Sequence, residues 1–330
     1  MKWIARTAAL LLGVALSAGM PPATQAAQAA ATAEAPAVRA APVPLLWKVS
    51  GAQGSELYLL GSFHLLTAQD YPLSEDVDAA FDASSHLLFE LSPEEMASPQ
   101  LAAQMLQAAV RSDGRQLEDD LDAETWQRLQ VHADANGLPL ERLAYLKPWF
   151  VGLSISLAQM QRQGLDAQAG LDRYLMTRAA EAGKPAEGLE TAAAQIAMLD
   201  GMDAEEQRQL LREALEQADK GDEQGRLLHD AWRRGDEVTL WRDMAAQMRQ
   251  DYPDLYQHIN VERNDGWLAA LQQRLQAGQG STLVVVGALH LLGSDGVVEK
   301  LRARGYKVER ICSACAPPAK PKASTSRSRR

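Results

Sequence analysis

Cysteine and histidine are scarce in this sequence. Its 330 residues include 2 cysteines and 6 histidines. Two cysteines are too few for a disulfide-rich scaffold or for a zinc module built on cysteine ligands. Hydrophobic residues still make up 46% of the chain, which is enough for a core and excludes a mostly disordered protein. Six histidines are few enough that the surroundings of each one can be compared.

Basic residues are also fewer than acidic residues. The chain has 33 Lys and Arg residues against 43 Asp and Glu residues, for a formal net charge of −10. The excess is larger within residues 45–315, which hold 25 basic and 42 acidic residues, a net charge of −17. Proteins that bind DNA or RNA depend on clustered Lys and Arg side chains. The sequence therefore predicts no nucleic-acid partner.

The apolar run near the N-terminus is too short for a stable membrane span. Ala8–Ala18 follows the basic residues Lys2 and Arg6, and its length of about 11 residues is well below that of a spanning helix. Small residues follow, with an Ala-x-Ala cleavage motif at 27–29. We therefore predict a signal peptide over 1–29, and a periplasmic or secreted protein without a stable span after cleavage. An uncleaved N-terminal anchor is the alternative.

The segments that flank the expected domain are biased in composition. Residues 21–44 contain 11 Ala and 5 Pro, so we predict an Ala/Pro-rich linker over 30–44. Residues 316–330 carry five basic residues and no acidic or large apolar residue, which predicts a disordered basic tail. A single domain is then expected over 45–315.

Strand-like segments lie near both ends of this domain, with helical periodicity between them. Short apolar runs bounded by turn residues predict strands, and stretches rich in Ala, Leu, Gln and Glu predict helices from about 93 to 277. The expected strands cover 45–50, 56–61, 86–91, 184–189, 281–287 and 306–311, with further helices at 74–83 and 297–304. We therefore predict an α/β fold whose mixed sheet is formed by N- and C-terminal strand segments, with a large helical insertion between them.

One hexamer occurs twice, each time at the end of an apolar strand-like run. Gly61-Ser-Phe-His64-Leu-Leu66 and Gly287-Ala-Leu-His290-Leu-Leu292 are identical at four of six positions. Glycine at a strand end permits a tight turn or a close backbone approach. Each histidine would then lie just beyond the carboxyl edge of the sheet, where open α/β sheets bind ligands.

Glu90 ends a third strand-like run and adds a carboxylate at the same expected edge. Two imidazoles and one carboxylate form a ligand set that leaves a divalent metal open to water, and such a metal activates the water to attack a carbonyl. The alternative for each histidine is an ordinary surface or hydrogen-bonded residue. We expect solvent exposure for the four histidines outside the repeat, His86, His132, His229 and His258.

Further motifs accompany the two histidine turns along most of residues 45–312. They are Leu46-Trp47-Lys48, Phe89-Glu90, Lys147-Pro148-Trp149, Gly170-Leu-Asp172, Gly183-Lys-Pro185, Gly188-Leu-Glu190-Thr191, Glu262-Arg263-Asn264 and Gly305-Tyr306. With the two G-x-x-H turns, this ordered series resembles the TraB/PrgY/GumN family, in particular its bacterial GumN-like branch, which is related to the animal Tiki metalloproteases.

The resemblance implies a metal-dependent, peptidase-like activity that uses Mn²⁺ or Co²⁺. The family's active-site elements are its two G-x-x-H motifs and the acidic residue after the second core strand. Here they correspond to His64, Glu90 and His290 as metal ligands and catalytic residues. Related folds include erythromycin-esterase-like hydrolases and haem-binding lipoproteins, so the fold alone does not determine the chemistry.

Four further polar residues are candidates for roles around this site. Arg263 and Asn264 could orient a substrate carbonyl or stabilise an oxyanion. Their alternative is helix N-capping by Asn264 and an ordinary ion pair. Asp172 and Glu190 follow glycine-containing turns and could hydrogen-bond a ligating imidazole. Asp172 could instead interact with the dipole of its own helix.

Three functions are compatible with these residues. The leading hypothesis is a periplasmic or secreted metal-dependent hydrolase that acts on a peptide or other small substrate. The second is a non-catalytic envelope protein that holds a ligand or a haem with the same residues. The third is an esterase-like hydrolase that uses His64 as a general base without metal. Cys312-x-x-Cys315 could close a small disulfide in an oxidising compartment.

Overall fold

The computed structural model describes residues 40–221, 223–278 and 280–315. The predicted signal peptide, the linker up to residue 39 and the predicted basic tail at 316–330 lie outside the described residues. None of the helices in the described ranges is both long and apolar enough to cross a membrane. Cys312 and Cys315 form a disulfide, with their Cα atoms 5.3 Å apart.

A six-stranded mixed sheet forms the centre of the domain. Its strands are β1 (Leu46–Ser50), β2 (Glu56–Ser62), β3 (His86–Phe89), β4 (Ala186–Gly188), β5 (Ser281–Gly287) and β6 (Lys307–Arg310). Their order across the sheet is β4-β3-β5-β2-β1-β6. β1 is antiparallel to both of its neighbours, and the pairings among β2, β3, β4 and β5 are parallel. The predicted mixed sheet, built from strands near both ends of the domain, is confirmed.

Helices fill most of the chain between β3 and β5, which confirms the predicted helical insertion. The helices are α1 (Glu75–Ala83), α2 (Pro93–Met96), α3 (Pro99–Ala109), α4 (Ala123–Asn136), α5 (Leu140–Leu143), α6 (Pro148–Arg162), α7 (Leu171–Glu181), α8 (Ala192–Asp200), α9 (Ala204–Lys220), α10 (Glu223–Arg233), α11 (Glu237–Leu240), α12 (Gln247–Asp251), α13 (Pro253–Tyr256), α14 (Glu262–Gln276) and α15 (Val297–Ala303). Two π-helical segments, Trp241–Ala246 and Gln257–Val261, join α11 to α12 and α13 to α14.

The ends of these helices follow from local sequence. α9 begins at a capping box in which Asp203 accepts from the N–H groups of Glu205 and Glu206, and Glu206 accepts from the N–H of Asp203. α6 begins with Pro148 in its first turn, where a missing N–H has no consequence for the helix. α4 ends at Gly137, whose φ of 64° is in the left-handed region that glycine adopts readily.

β5 determines the edge of the sheet at which three strands end together. Its residues from Thr282 to Gly287 are buried, as expected for a parallel strand covered on both faces. It lies between β2 and β3, pairing in parallel with both. Ser62 at the end of β2 pairs with Gly287, and Phe89 at the end of β3 pairs with Val285. The carboxyl ends of the three strands therefore meet at one edge of the sheet.

Two of the histidines that we expected to be exposed are buried. His132 is 7% exposed and His229 is 8% exposed, so the prediction is wrong for both. His229 faces the core because α10 turns it, with Trp232, toward Phe63 in the first histidine turn. His86 and His258 are half-buried. Sequence context alone could not show which face of α10 packs inward.

His229 belongs to a buried ionic network around Asp70. The Asp70 carboxylate is fully buried and accepts from His229 Nε2 at 2.9 Å, from the N–H and hydroxyl of Thr67 at 2.8 Å, and from Arg233 Nη1. Arg233 also donates through Nη2 to the Ala40 carbonyl at 2.6 Å. The network joins α10 to the turn that follows His64 and to the residues that lead into β1.

Asp70→Asn should destabilise the protein by about 3–5 kcal/mol at neutral pH, because Arg233 would lose its buried anionic partner. Urea denaturation would measure the loss. The matched control is Glu124→Gln, which removes one member of the exposed Glu124–Arg128 pair and should change stability by less than about 1 kcal/mol. Equal effects of the two substitutions would contradict a structural role for the network.

The pH dependence of this stabilisation follows from the same contacts. Burial raises the pKa of Asp70, but hydrogen bonds from His229 and Thr67 outweigh burial and hold it well below its ordinary value. A carboxylate with a depressed pKa stabilises the fold fully above its unfolded pKa of about 4 and less as the pH falls below that value. The difference between wild type and Asp70→Asn should therefore shrink in denaturation curves recorded below about pH 4.

Candidate functional site

The carboxyl edge of the sheet brings His64, Glu90 and His290 together. Glu90 follows β3 directly, His64 lies two residues beyond β2, and His290 lies in a 3₁₀ turn, Ala288–Leu291, that follows β5. Glu90 Oε1 is 3.7 Å from His64 Nε2 and 3.9 Å from His290 Nε2. All three residues are buried, with exposed fractions of 7% or less. The structure thus assembles the three residues that the repeated hexamer and the third strand indicated.

Glycine at the end of β5 allows this close approach. A methyl group at Gly287 would lie 3.2 Å from His64 Nε2, 3.3 Å from Glu90 Oε1 and 3.5 Å from His290 Cδ2. The Gly287 N–H itself donates to Glu90 Oε1 at 2.7 Å. A side chain at this position would therefore press on His64 and Glu90, which would have to shift by a few tenths of an ångström to admit it.

Asp172 holds the ring of His64. Its Oδ2 accepts from His64 Nδ1 at 2.8 Å and from the hydroxyl of Ser62. Asp172 lies in the first turn of α7, and Gly170 just before it allows the chain to pass close to His64. A side chain at Gly170 would start 2.0 Å from the His64 carbonyl oxygen. The predicted hydrogen bond between Asp172 and an imidazole agrees with the structure, and it leaves His64 Nε2 facing Glu90.

Ser62 also belongs to the site, although nothing in the sequence predicted its involvement. It occupies a position at which the two hexamers differ, since the residue equivalent to Ser62 is Ala288. Nothing in the pattern distinguished its hydroxyl from that of any other serine. Its role depends on Asp172, which is distant in the sequence.

Asn264 holds the second imidazole. His290 Nδ1 donates to Asn264 Oδ1 at 2.7 Å, and Asn264 Nδ2 donates to the Asp295 carbonyl at 2.8 Å. Asn264 does not cap a helix, because α14 continues from the π-helical segment Gln257–Val261 and its N-cap position is Val261. The N-capping role is therefore wrong, whereas the ion pair of that alternative is present between Arg263 and two glutamates. With Nδ1 as the donor, His290 presents the lone pair of Nε2.

Arg263 lies at the centre of the remaining contacts. Its guanidinium donates to Glu90 Oε2 at 2.5 Å, to Glu190 Oε1 at 2.8 Å and to His290 Nε2 at 3.1 Å. The expected hydrogen bond from an imidazole to Glu190 is wrong, because Glu190 pairs with Arg263 instead. These contacts use three of the five N–H donors of the guanidinium. The ring of Trp267 covers the group at 5.2 Å and lies 4.6 Å from the ring of His290.

The two histidines differ in charge. Burial lowers the pKa of His64, but the negative charges of Asp172 and Glu90 outweigh burial and raise it to about 9. Burial and the positive charge of Arg263 lower the pKa of His290 to about 3. At neutral pH His64 is therefore protonated and His290 is neutral.

The two glutamates that contact Arg263 also differ. Burial raises the pKa of Glu90, but Arg263 and the two histidines outweigh burial and hold it well below its ordinary value. Burial raises the pKa of Glu190, and Arg263 only partly opposes this. Glu90 is thus the anion that faces the histidines.

The donor chemistry of the three predicted metal ligands fits a divalent cation, but each donor is already engaged. Glu90 accepts from the Gly287 N–H and from Arg263, and the raised pKa of His64 keeps its Nε2 protonated at neutral pH. His290 Nε2 accepts a hydrogen bond from Arg263. Across the described ranges, no group of three or more His, Cys, Asp or Glu side chains is arranged as a set of metal ligands. Nδ1 of each histidine forms a hydrogen bond with a side-chain oxygen, from Asp172 for His64 and from Asn264 for His290. Such outer-shell hydrogen bonds are common for histidines that bind metals. A three-ligand site would need His290 to exchange Arg263 for the ion.

Comparison with known proteins gives one family and two relatives. The model of the TraB/PrgY/gumN family matches residues 45–310. The uncharacterised protein YbaP of Escherichia coli (strain K12) is 28% identical over 198 residues, which is 56% of this chain and 68% of YbaP. YbaP of Shigella flexneri matches with the same identity and the same coverage. No solved structure matches the chain.

Asp172→Asn should lower the pKa of His64, because it removes the nearest negative charge and the largest influence that opposes burial. NMR titration of the imidazole in chelator-treated protein would measure the change.

A group with a raised pKa stabilises the fold fully below its unfolded pKa and loses that effect as the pH rises through the folded value. Wild-type stability should therefore fall between about pH 6.5 and 9, and Asp172→Asn should flatten that dependence. An unchanged His64 pKa would contradict the contact.

Proposed function

The chain belongs to the TraB/PrgY/gumN family, and from that premise we propose that it is a hydrolase whose active site is the cluster of His64, Glu90, Arg263 and His290. The observation that supports this most directly is the His64–Asp172 hydrogen bond of 2.8 Å, which directs the other nitrogen of the ring toward Glu90. An imidazole oriented by a carboxylate is the usual arrangement for moving a proton to or from a reacting group. The proposed substrate is a peptide or another small molecule with a cleavable carbonyl group.

In the proposed reaction, His64 holds or moves a proton at Nε2. Asp172 fixes the ring through Nδ1, and Glu90 supplies the negative charge beside Nε2. Two carboxylates next to one imidazole favour a positive charge at that position. A proton on Nε2 supplies this charge.

Arg263 is proposed to stabilise negative charge on the substrate carbonyl oxygen. Its contacts with Glu90, Glu190 and His290 hold the guanidinium in one orientation, so it needs little reorganisation when charge develops. Two of its N–H donors are not used by these contacts. Asn264 is proposed to act through His290, whose ring it positions.

A divalent metal, Mn²⁺ or Co²⁺ by resemblance to the family, is the proposed cofactor. His64, Glu90 and His290 would hold it, and it would lower the pKa of a bound water. The positive charge that Asp172 and Glu90 favour at His64 could be supplied by such an ion in place of the proton. The Arg263–His290 hydrogen bond is the interaction that competes with it.

The periplasm or the extracellular space is the proposed location. Support comes from the signal-peptide pattern at 1–29 and from the Cys312–Cys315 disulfide, since disulfides persist in oxidising compartments. The acidic body of the domain makes a nucleic-acid substrate unfavourable.

His64→Asn should lower kcat/KM on a cleaved substrate by roughly 10²–10⁴-fold, the range typical of an acid–base residue. A library of peptides and activated esters would supply the substrate. The matched control is His86→Asn, because His86 begins the strand that leads to Glu90 and so lies at the other end of it. The control should retain wild-type activity. If no library member is turned over by the wild type, the hydrolase proposal fails and a non-catalytic ligand-binding role is favoured.

Metal dependence needs a separate measurement. We expect protein purified without chelator to contain Mn²⁺ or Co²⁺ by elemental analysis, and we expect chelation to abolish turnover that the added ion restores. Turnover that survives exhaustive chelation would show that the metal proposal is wrong and that His64 transfers the proton without metal.

Gly287→Ala should reduce kcat/KM by roughly 10-fold or more, because displacements of well under 1 Å matter for reacting groups. The added methyl group would lie 3.2–3.3 Å from His64 and Glu90. Its backbone φ of −48° suits alanine, so the variant should still fold. A crystal structure and activity measurements would test this, and full activity would show that the three groups do not act together.

A further inference from the structure

A cavity lies at the carboxyl edge of the sheet, on the side of β1 and β6. Its volume is about 1000 Å³, the upper end of the range for small-molecule sites. Its apolar lining comes from Trp47 on β1, from Val238 and Trp241, and from Leu291 and Leu292, which follow His290. Val238 is 68% exposed, so its apolar side chain is accessible at this cavity.

Arg310, the last residue of β6, supplies a positive charge to this cavity. Its guanidinium lies over the ring of Trp47, with the central carbon 4.7 Å from the ring centroid. Among the residues that the structure describes, its buried Nη1 has no hydrogen-bond partner. In the described ranges Arg310 forms no ion pair within 4.0 Å. Burial lowers its pKa, and Glu237 only partly offsets that effect. A buried guanidinium nitrogen without a partner is unfavourable unless an acceptor completes it.

The acidic residues around the cavity do not form ion pairs with Arg310. Asp236 accepts from the Thr239 N–H at the start of α11, and Glu299 pairs with Arg302. Glu237 is exposed to solvent. These three carboxylates would repel a head group with several negative charges. A head group with a single negative charge suits the surroundings better.

We propose that this cavity binds an amphipathic monocarboxylate, a molecule with an apolar chain and one carboxylate group. The carboxylate would accept from the guanidinium of Arg310, for which carboxylates are geometrically matched acceptors. The apolar chain would lie against Trp47, Trp241 and Leu292. Binding at this site needs no turnover at His64, so the proposal stands or falls separately from the proposed hydrolase.

The test uses dodecanoate as the probe and dodecanol as its uncharged counterpart. Isothermal titration calorimetry on the full-length protein should show dodecanoate binding at least ~10-fold more tightly than dodecanol. Arg310→Gln should remove most of that preference. The matched control is Arg302→Gln, an arginine at the same cavity that is already paired with Glu299. It should bind dodecanoate like the wild type.

A second variant keeps the test valid if Arg310→Gln fails to fold. Val238→Glu places a negative charge at an exposed position of the lining and should weaken dodecanoate binding more than dodecanol binding. Equal affinity for the two probes, or no binding of dodecanoate, would overturn the proposal. A synthetic peptide of residues 316–330 should not compete with dodecanoate. If that peptide binds in the cavity and dodecanoate does not, the occupant is the chain's own tail and the proposal is wrong.

Discussion

The candidate site depends on one buried cation. Arg263 is enclosed at the edge of the sheet, where an unpaired guanidinium would be strongly unfavourable. Its charge requires Glu90 to stay ionised beside it and His290 to stay neutral. The same charge lowers the pKa of Glu190, whereas burial raises it. The protonation states of Glu90 and His290 are thus largely consequences of where α14 places this arginine.

The repeated histidine turn produces two different groups from nearly the same hexamer. His64 and His290 occupy equivalent positions after neighbouring parallel strands, but their partners come from different helices. Asp172 on α7 provides an anionic acceptor, and Asn264 on α14 provides a neutral one. The first histidine therefore carries a positive charge and the second does not. A symmetric pair of strands thus supports an asymmetric arrangement of charge.

The strands, the helical insertion and the convergence of His64, Glu90 and His290 could be predicted because each follows from local pattern. Apolar runs with flanking glycines identify strands, and parallel strands bring their ends to one edge. The partners of these residues could not be predicted in the same way. Which residue pairs with Glu190, or which face of α10 buries His229, depends on how helices distant in the sequence pack. Local patterns carry little information about such contacts.

The position of β5 also affects the order in which the protein folds as it is synthesised. A chain is synthesised from its N-terminus, so β2 and β3 emerge long before the strand that must lie between them. Until β5 arrives, both strands lack the neighbour that joins them, and His64 and Glu90 have no shared edge to occupy. Pairing between segments so distant in the chain is slow to form. The cluster of His64, Glu90 and His290 therefore forms late, after most of the domain has been made.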